Sequence, residues 1–211
     1  MNHSPATVFV VDDDPAVLKS LARLLRSARL EVATFNSPRE FLERYDPRAS
    51  GCLVLDVAMP GLNGLELQEA LAAKGSTLPI IFLTGHGDIP MSVQAMKRGA
   101  VDFLTKPVND DDLLKAVGVA IEKDRSQRQA RAEVAEIQQR LDTLTLRERE
   151  VLEQVIAGQM NKNIADALGI GEHTVKVHRA RVMQKMGVVS LADLVRAAER
   201  LGLGKSGSSF E

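Results

Sequence analysis

Four short apolar runs punctuate the first ~120 residues: Val8-Phe9-Val10-Val11, Cys52-Leu53-Val54-Leu55, Ile80-Ile81-Phe82-Leu83 and Val101-Asp102-Phe103-Leu104. Each is too short for a buried helix, and together they predict buried strands. Glu31-Val32-Ala33-Thr34 is a weaker fifth. Between the runs the period changes. Val17, Leu18, Leu21, Leu24, Leu25 and Ala28 recur at i, i+1, i+4, i+7, i+8 and i+11, the apolar stripe of a surface helix. Pro15 behind Asp14 suits the first turn of that helix, with the aspartate as N-cap. Pro60-Gly61 and Asn63-Gly64 mark a loop before a third helix that begins near Leu65. Strands alternating with helices at this spacing predict a parallel sheet covered on both faces.

The pattern changes after Asp110. From there to Leu141 the only glycine or proline is Gly118, and Lys123 to Arg140 is rich in Gln, Arg, Glu and Ala, which predicts a solvated helical linker. Ile121, Val134, Ile137 and Leu141 offer a self-associating stripe instead, but spacings of 13, 3 and 4 are heptad-like only in the last half. Residues 142–203 hold no strand-like run. Helices over about 146–157, 161–168, 172–186 and 190–201 fit, broken at Gly158, at Gly169-Ile170-Gly171 and at Gly187. A helix, a three-residue turn with glycine and a second helix form a helix-turn-helix. The expected organisation is a domain over 1–120, a helical linker over 121–141 and a small all-α domain over 142–211.

Composition narrows this only a little. A length of 211 residues accommodates two domains, and 3% aromatics without Trp leave the cores to Leu, Val, Ile, Ala and Met. The single cysteine, Cys52, excludes an internal disulfide framework and reads as a small buried hydrophobe. No run approaches the ~20 apolar residues of a membrane span, and Met1-Asn2-His3-Ser4-Pro5 lacks a signal-peptide pattern, so a cytoplasmic protein is expected. Net charge is −1, unevenly spread. Residues 1–120 carry 12 basic against 15 acidic side chains, whereas Glu172 to Gly187 holds Lys176, Arg179, Arg181 and Lys185 against Glu172 alone. A basic cluster in the C-terminal domain points to an anionic partner.

Candidate chemistry collects where the strands end. Asp12-Asp13-Asp14 follow the first strand, Asp56 the third, Thr84 the fourth and Lys106 the fifth. In an open parallel sheet those ends share one crevice, where ligands bind. Clustered carboxylates repel unless a cation intervenes, and an all-oxygen, water-retaining site suits Mg²⁺. Beside such an ion Asp56 can act as an oxygen nucleophile toward phosphorus, with Lys106 and the Thr84 hydroxyl neutralising the phosphoryl oxygens.

Val-Val-Asp-Asp-Asp, Leu-Asp-Val-Ala-Met-Pro-Gly, Thr-Gly-His-Gly and Phe-Leu-Thr-Lys-Pro resemble the receiver domain of two-component response regulators over residues 6–120, nearest the FixJ-like branch. The resemblance implies a flavodoxin-like, five-stranded doubly wound sheet of order 2-1-3-4-5. It implies Asp56 as phosphoacceptor, Asp12 and Asp13 as metal-binding acids, and a backbone carbonyl of Ala58 as a further Mg²⁺ ligand. Thr84 and Lys106 would contact the phosphoryl group, with a cis bond at Lys106-Pro107, and Phe103 would switch together with Thr84. Ala58 replaces an arginine frequent there in the family, which a backbone ligand tolerates.

At 100° per residue, Val175, Val182 and Met186 share one face of the helix from Glu172 to Met186 and are expected to pack inward. His173, Val177, Ala180 and Gln184 point the other way, with Thr174, Lys176 and Arg181 on the shoulders. A small polar centre with cationic edges suits the major groove of DNA. Lys176 would reach guanine edges or phosphate, Val177 and Ala180 thymine methyls, and Arg181 phosphate. Lys162 and Asn163, on the preceding helix, would hold the backbone. His173 and His178 lie on different faces with no cysteine near, so they predict no metal site; His178 packs or hydrogen-bonds, and Arg179 snorkels from the inner edge. Leu144-Thr145-Leu146-Arg147-Glu148-Arg149-Glu150-Val151-Leu152, Asn161-Lys162-Asn163-Ile164-Ala165 and Thr174-Val175-Lys176-Val177-His178 resemble the LuxR-type helix-turn-helix domain over 142–203. That family binds inverted-repeat DNA as a dimer with the segment Thr174–Lys185 in the groove, which adds Lys185 to the expected contacts.

Together the resemblances imply a transcriptional regulator rather than a turnover enzyme. A sensor histidine kinase would phosphorylate Asp56. Repacking of Thr84 and Phe103 would then alter a dimer face built from Asp88–Gly99 and Val101–Leu104. The homodimer would bind promoter DNA and act on RNA polymerase, as an activator by analogy. A haloacid-dehalogenase-type phosphatase would want Asp-x-Asp-x-Thr/Val, where this chain has Asp12-Asp13-Asp14-Pro15-Ala16. A receiver that dimerises without phosphate is a second alternative, against which the complete acidic set argues.

Overall fold

The computed structural model describes residues 6–85 and 89–203. It divides into two compact units, Met1–Arg128 and Gln129–Glu211.

In the first unit, strands β1 (Thr7–Val11), β2 (Glu31–Phe35), β3 (Gly51–Asp56), β4 (Ile80–Thr84) and β5 (Asp102–Thr105) alternate with helices α1 (Pro15–Ser27), α2 (Pro38–Arg44), α3 (Gly64–Ala73) and α4 (Ile89–Lys97). All four pairings are parallel, and the order is β2-β1-β3-β4-β5, as expected. Because strand side chains alternate, each strand feeds two cores. Phe9, Val11, Leu53, Leu55 and Phe82 meet Phe35, Phe41 of α2 and Leu67 of α3 on one face. Val8, Val10, Val54, Ile81 and Leu83 meet Leu21 and Leu25 of α1 and Leu113, Val117 and Ala120 of α5 (Asp110–Asp142) on the other. The aromatic rings gather on the first face, where Phe41 lies edge-on to Phe35 at 5.2 Å and stacks on Tyr45 at 4.9 Å. Cys52 is buried and its thiol is pushed up to about 12, chiefly by burial, so it is an inert core residue.

Local signals explain the helix starts. The Asp14 carboxylate accepts the Ala16 N–H at 2.8 Å ahead of Pro15, as anticipated. Asn63 and Glu66 form a reciprocal capping box that starts α3 at Gly64. The short helix α2, whose bounds the sequence pattern did not mark, begins at Pro38 behind Ser37, whose hydroxyl accepts the Glu40 N–H at 3.3 Å.

Helix α5 runs unbroken through the stretch expected to be a linker. Its near end is fastened to the sheet. Asp124, only 2% exposed, accepts the Gly51 N–H at 2.9 Å and both of its oxygens take the Arg128 Nε–H, at 2.9 and 2.8 Å. Arg128 then donates to the Arg48 carbonyl at 3.0 Å and to the Ala49 carbonyl. Removing Arg128 leaves a buried carboxylate with one N–H partner, so Arg128→Ala should destabilise the first unit by about 2–4 kcal/mol in urea titration. Asp124→Asn should cost less, because the amide keeps an acceptor without stranding a charge. Ile121 packs on the second sheet face, while Ile137 and Leu141 enter the core of the second unit. Of the stripe weighed for self-association, only Val134 is left exposed.

The second unit contains the end of α5 and helices α6 (Leu146–Ile156), α7 (Asn161–Leu168), α8 (Glu172–Met186) and α9 (Leu191–Arg200). They pack around Val151, Leu152, Ile164, Val175, Val182, Met186 and Leu194. Thr145 and Glu148 cap α6 reciprocally, and Gly169 ends α7 and Gly187 ends α8 in the left-handed conformation. Among the described residues no helix is long and apolar enough to cross a membrane.

Candidate functional site

Parallel pairing of β1 with β3 sets Val11 opposite Leu55, so the next residues, Asp12 and Asp56, emerge side by side where the strand order reverses. Asp12 is 1% and Asp56 4% exposed, while Asp13 is exposed at the rim. One oxygen from each of the three lies within 4.8 Å of the others. Lys106, one residue past β5, donates from Nζ to Asp12 Oδ2 at 2.6 Å and to Asp56 Oδ1 at 2.9 Å. The Asp14 N–H donates to the other Asp12 oxygen at 3.0 Å. A type of site anticipated from strand ends is thus assembled by the topology.

Electrostatics are finely opposed here. Burial pushes the Asp56 carboxyl above the usual aspartate range and Asp12 and Asp13 add to it, against the pull of Lys106. Burial disfavours the Lys106 ammonium, yet its bonds to Asp12 and Asp56 prevail and hold its pKa above that of an ordinary lysine. The ammonium therefore bridges two carboxylates that would otherwise repel.

Thr84 ends β4, 3% exposed, and its carbonyl accepts the Lys106 N–H at 2.7 Å. Phe103 lies half-buried on β5 with its ring centroid 6.0 Å from Phe82. Lys106-Pro107 is cis. Ala58 is exposed, two residues beyond Asp56. Val93 and Met96 of α4 are exposed at 46% and 45%, large apolar side chains facing outward. His86, Gly87 and Asp88 lie outside the described residues.

On α8 the two faces fall as the periodicity predicts. Val175, Val182 and Met186 are buried, whereas His173, Thr174, Lys176, Val177, Ala180, Arg181 and Gln184 are exposed. Lys162 and Asn163 are exposed in the first turn of α7. His178 packs partly inward, with Nδ1 buried and without a hydrogen-bond partner among the described residues. Lys185 differs from the rest. Its ammonium turns onto α6, bonding Glu148 Oε2 at 2.6 Å and the Thr143 carbonyl at 3.0 Å. The capping box buries Glu148 beneath α8, and the nearest long cation answers it. Lys185 is thereby occupied within the unit, leaving Lys176 and Arg181 as the outward cations expected at DNA.

That pair gives a pH signature. Lys185 first, then the Thr145 N–H, hold the Glu148 carboxyl below the usual glutamate range. A carboxyl lowered on folding stabilises above its unfolded value of about 4.3 and loses that stabilisation as pH falls through its folded one. The melting temperature of wild type should therefore fall more steeply below about pH 4.3 than that of Glu148→Gln. Parallel profiles would show that the pair adds nothing.

Two family models match. The response regulator receiver domain covers residues 8–118, and the luxR family of bacterial regulatory proteins covers residues 142–198. This chain is a two-component response regulator with a LuxR-type DNA-binding domain. Its relatives agree along nearly the whole length. Nodulation protein W of Bradyrhizobium diazoefficiens is 52% identical over 198 residues, spanning 94% of this chain and 87% of that protein. Transcriptional regulatory protein FixJ of Azorhizobium caulinodans is 48% identical over 93% of both chains. Among solved structures, response regulator StyR superposes with a TM-score of 0.85 at 51% identity, covering 93% of this regulator and 100% of that chain. Membership implies a histidine kinase as phosphoryl donor and DNA as ligand, and places the regulator among transcription factors rather than turnover enzymes.

Asp124–Arg128 and Glu148–Lys185 were not expected from the sequence. Only the second had an unused local signal, Thr145-x-x-Glu148 before an apolar run.

Proposed function

We propose that this regulator takes a phosphoryl group on Asp56, dimerises through its α4–β5 face, and binds promoter DNA with α8. The observation that carries this is the Lys106 ammonium bridging Asp12 and Asp56 at the sheet edge beside buried Thr84. Asp12, Asp13 and Asp56 form an all-carboxylate, hard-oxygen set that fits Mg²⁺, with the Ala58 backbone carbonyl as a further ligand. When bound, Mg²⁺ neutralises charge on the carboxylates and the phosphoryl oxygens. An Asp56 oxygen attacks phosphorus of the kinase phosphohistidine; the new O–P bond forms as the N–P bond breaks and the imidazole leaves. Lys106 and the Thr84 hydroxyl receive the transferred oxygens. Thr84 and Phe103 repack in response, and Phe103, lacking a hydroxyl, acts by shape alone.

Exposed Val93 and Met96 support the α4–β5 face as the dimer surface. A dimer presents two α8 helices to adjacent half-sites. Lys176, Val177, Ala180, Arg181 and Thr174 contact the groove and its edges, and Lys162 and Asn163 hold the backbone. Lys185 contributes by fixing α8 on Glu148. We assign residues 1–120 to the receiver, 121–141 to the linker and 142–211 to the DNA-binding domain. We place the protein in the cytoplasm and read it as an activator acting on RNA polymerase.

The test is mass spectrometry after incubation with acetyl phosphate and Mg²⁺, with borohydride reduction to mark acyl phosphate. One phosphoryl group at Asp56, formed only when Mg²⁺ is present and absent from Asp56→Asn, is expected. A label elsewhere, or none, would overturn the assignment.

A further inference from the structure

The contact between α7 and α8 holds a cation that the groove-facing surface does not include. On a wheel of 100° per residue Arg179 falls roughly 160° from Val177 and roughly 20° beyond buried Met186, at the edge of the inward face. Its side chain nevertheless runs out to the start of α7, where Nη1 donates to Asn161 Oδ1 at 2.9 Å and the residue stays half-buried. Among the described residues no carboxylate lies within ion-pairing distance of it, although Arg128, Arg140, Arg147, Arg149, Arg196 and Arg200 of this chain all have one. Lys185, on the same helix, is neutralised by Glu148.

Arg179 is thus held in place by a neutral amide that leaves its charge uncompensated. A half-buried guanidinium without a counter-ion is costly unless an anion meets it. Two neighbouring positions carry the same sign. Lys176 lies three residues back on the same side of α8 and is exposed. Asn161 opens α7, next to exposed Lys162, and the N-cap Met160 provides no side-chain bond to the first turn. Fixing the guanidinium in advance removes the ordering cost at the moment of binding.

We propose that Arg179, oriented by Asn161, is a phosphate-binding residue of the DNA interface, gripping the backbone at the start of α7. This rests on the reading of α8 as the DNA-contacting helix. Arg179 touches the ligand, and Asn161 acts through it as a positioning residue.

Salt dependence separates this from a structural role, since each phosphate contact contributes about 0.9 to the slope of log K against log salt and a packing residue contributes none. Binding of the full chain, treated with acetyl phosphate and Mg²⁺, would be titrated from low to moderate salt on an inverted-repeat duplex selected in vitro by wild type. Arg179→Ala should weaken binding on the order of tenfold and flatten the slope by about 0.9 per bound protomer. Arg179→Lys should keep the slope and recover part of the affinity. Asn161→Ala should bind severalfold more weakly, and adding it to Arg179→Ala should cost nothing further. Lys176→Ala serves as the control for the underlying reading. If it loses affinity and slope while Arg179→Ala keeps the wild-type slope, the inference fails and the groove assignment stands. If neither changes the slope, α8 is not the DNA-contacting helix and both fail. Additive losses in the double variant would contradict the positioning role of Asn161.

Discussion

Lys106→Met is expected to slow phosphoryl uptake from acetyl phosphate on the order of a hundredfold, the usual effect of removing one preorganised donor from developing charge. Asp12 and Asp56 are almost fully buried on neighbouring strands, and one ammonium bonds an oxygen of each. Methionine matches the length and apolar stem of lysine but brings no charge, so the sheet edge keeps its packing. Asp56 then loses the one influence among those acting on it that favours the ionised nucleophile most, while burial, Asp12 and Asp13 still oppose ionisation. Mg²⁺ affinity should not fall, because the variant removes a cation that competes for the same oxygens. Time courses of phosphoprotein formation, paired with a Mg²⁺ titration, check both halves. Wild-type rates would show that Lys106 is only a structural counter-ion.

Gly51→Ala should be the most damaging small substitution in the receiver. Gly51 opens β3 at φ 142, a conformation that L residues rarely adopt, and pairs with Thr7 of β1. A β-carbon there would lie 1.8 Å from the Thr7 carbonyl oxygen and under 3.0 Å from its carbonyl carbon and nitrogen. All are backbone atoms in the central strand pair, so relief requires breaking β1–β3 pairing or the Asp124–Gly51 bond. Strain and overpacking each cost about 1–3 kcal/mol, together a large share of the roughly 5–15 kcal/mol that holds a typical domain folded. The receiver should unfold at much lower urea, or fail to accumulate as folded protein. Gly61→Ala, also at positive φ but with nothing within 4 Å, should cost only about 1 kcal/mol. Similar midpoints for the two variants would contradict the clash.

Much of this was legible in the sequence because it depends on local pattern. Runs such as Ile80–Leu83 are uniformly apolar because both sheet faces are covered, and β4 is buried throughout. Polar residues just past those runs, Asp12, Asp56 and Lys106, converge because parallel strands end at one edge. The inward face of α8 followed from periodicity alone, since Val175, Val182 and Met186 recur on one stripe. What stayed hidden depends on partners far along the chain. Asp124 meets Gly51 across 73 residues, Lys185 meets Glu148 across 37, and Arg179 meets Asn161 across 18. Composition described Lys185 and Arg179 alike as basic, whereas packing neutralised the first and left the second charged. Likewise the polar stretch that suggested a solvated linker carries, at its ends, Arg128 and Ile137, each built into a compact unit.

The central claim is that phosphorylation of Asp56 controls dimerisation and DNA binding. Its most direct test is DNA affinity and oligomeric state of the full chain with and without acetyl phosphate and Mg²⁺, for wild type and Asp56→Asn side by side. The donor should convert wild type to a dimer that binds the inverted-repeat duplex at least tenfold more tightly, an effect of about 1.4 kcal/mol or more, and should leave the variant unchanged. Equal binding by both proteins, indifferent to the donor, would contradict it and make dimerisation without phosphate the better account.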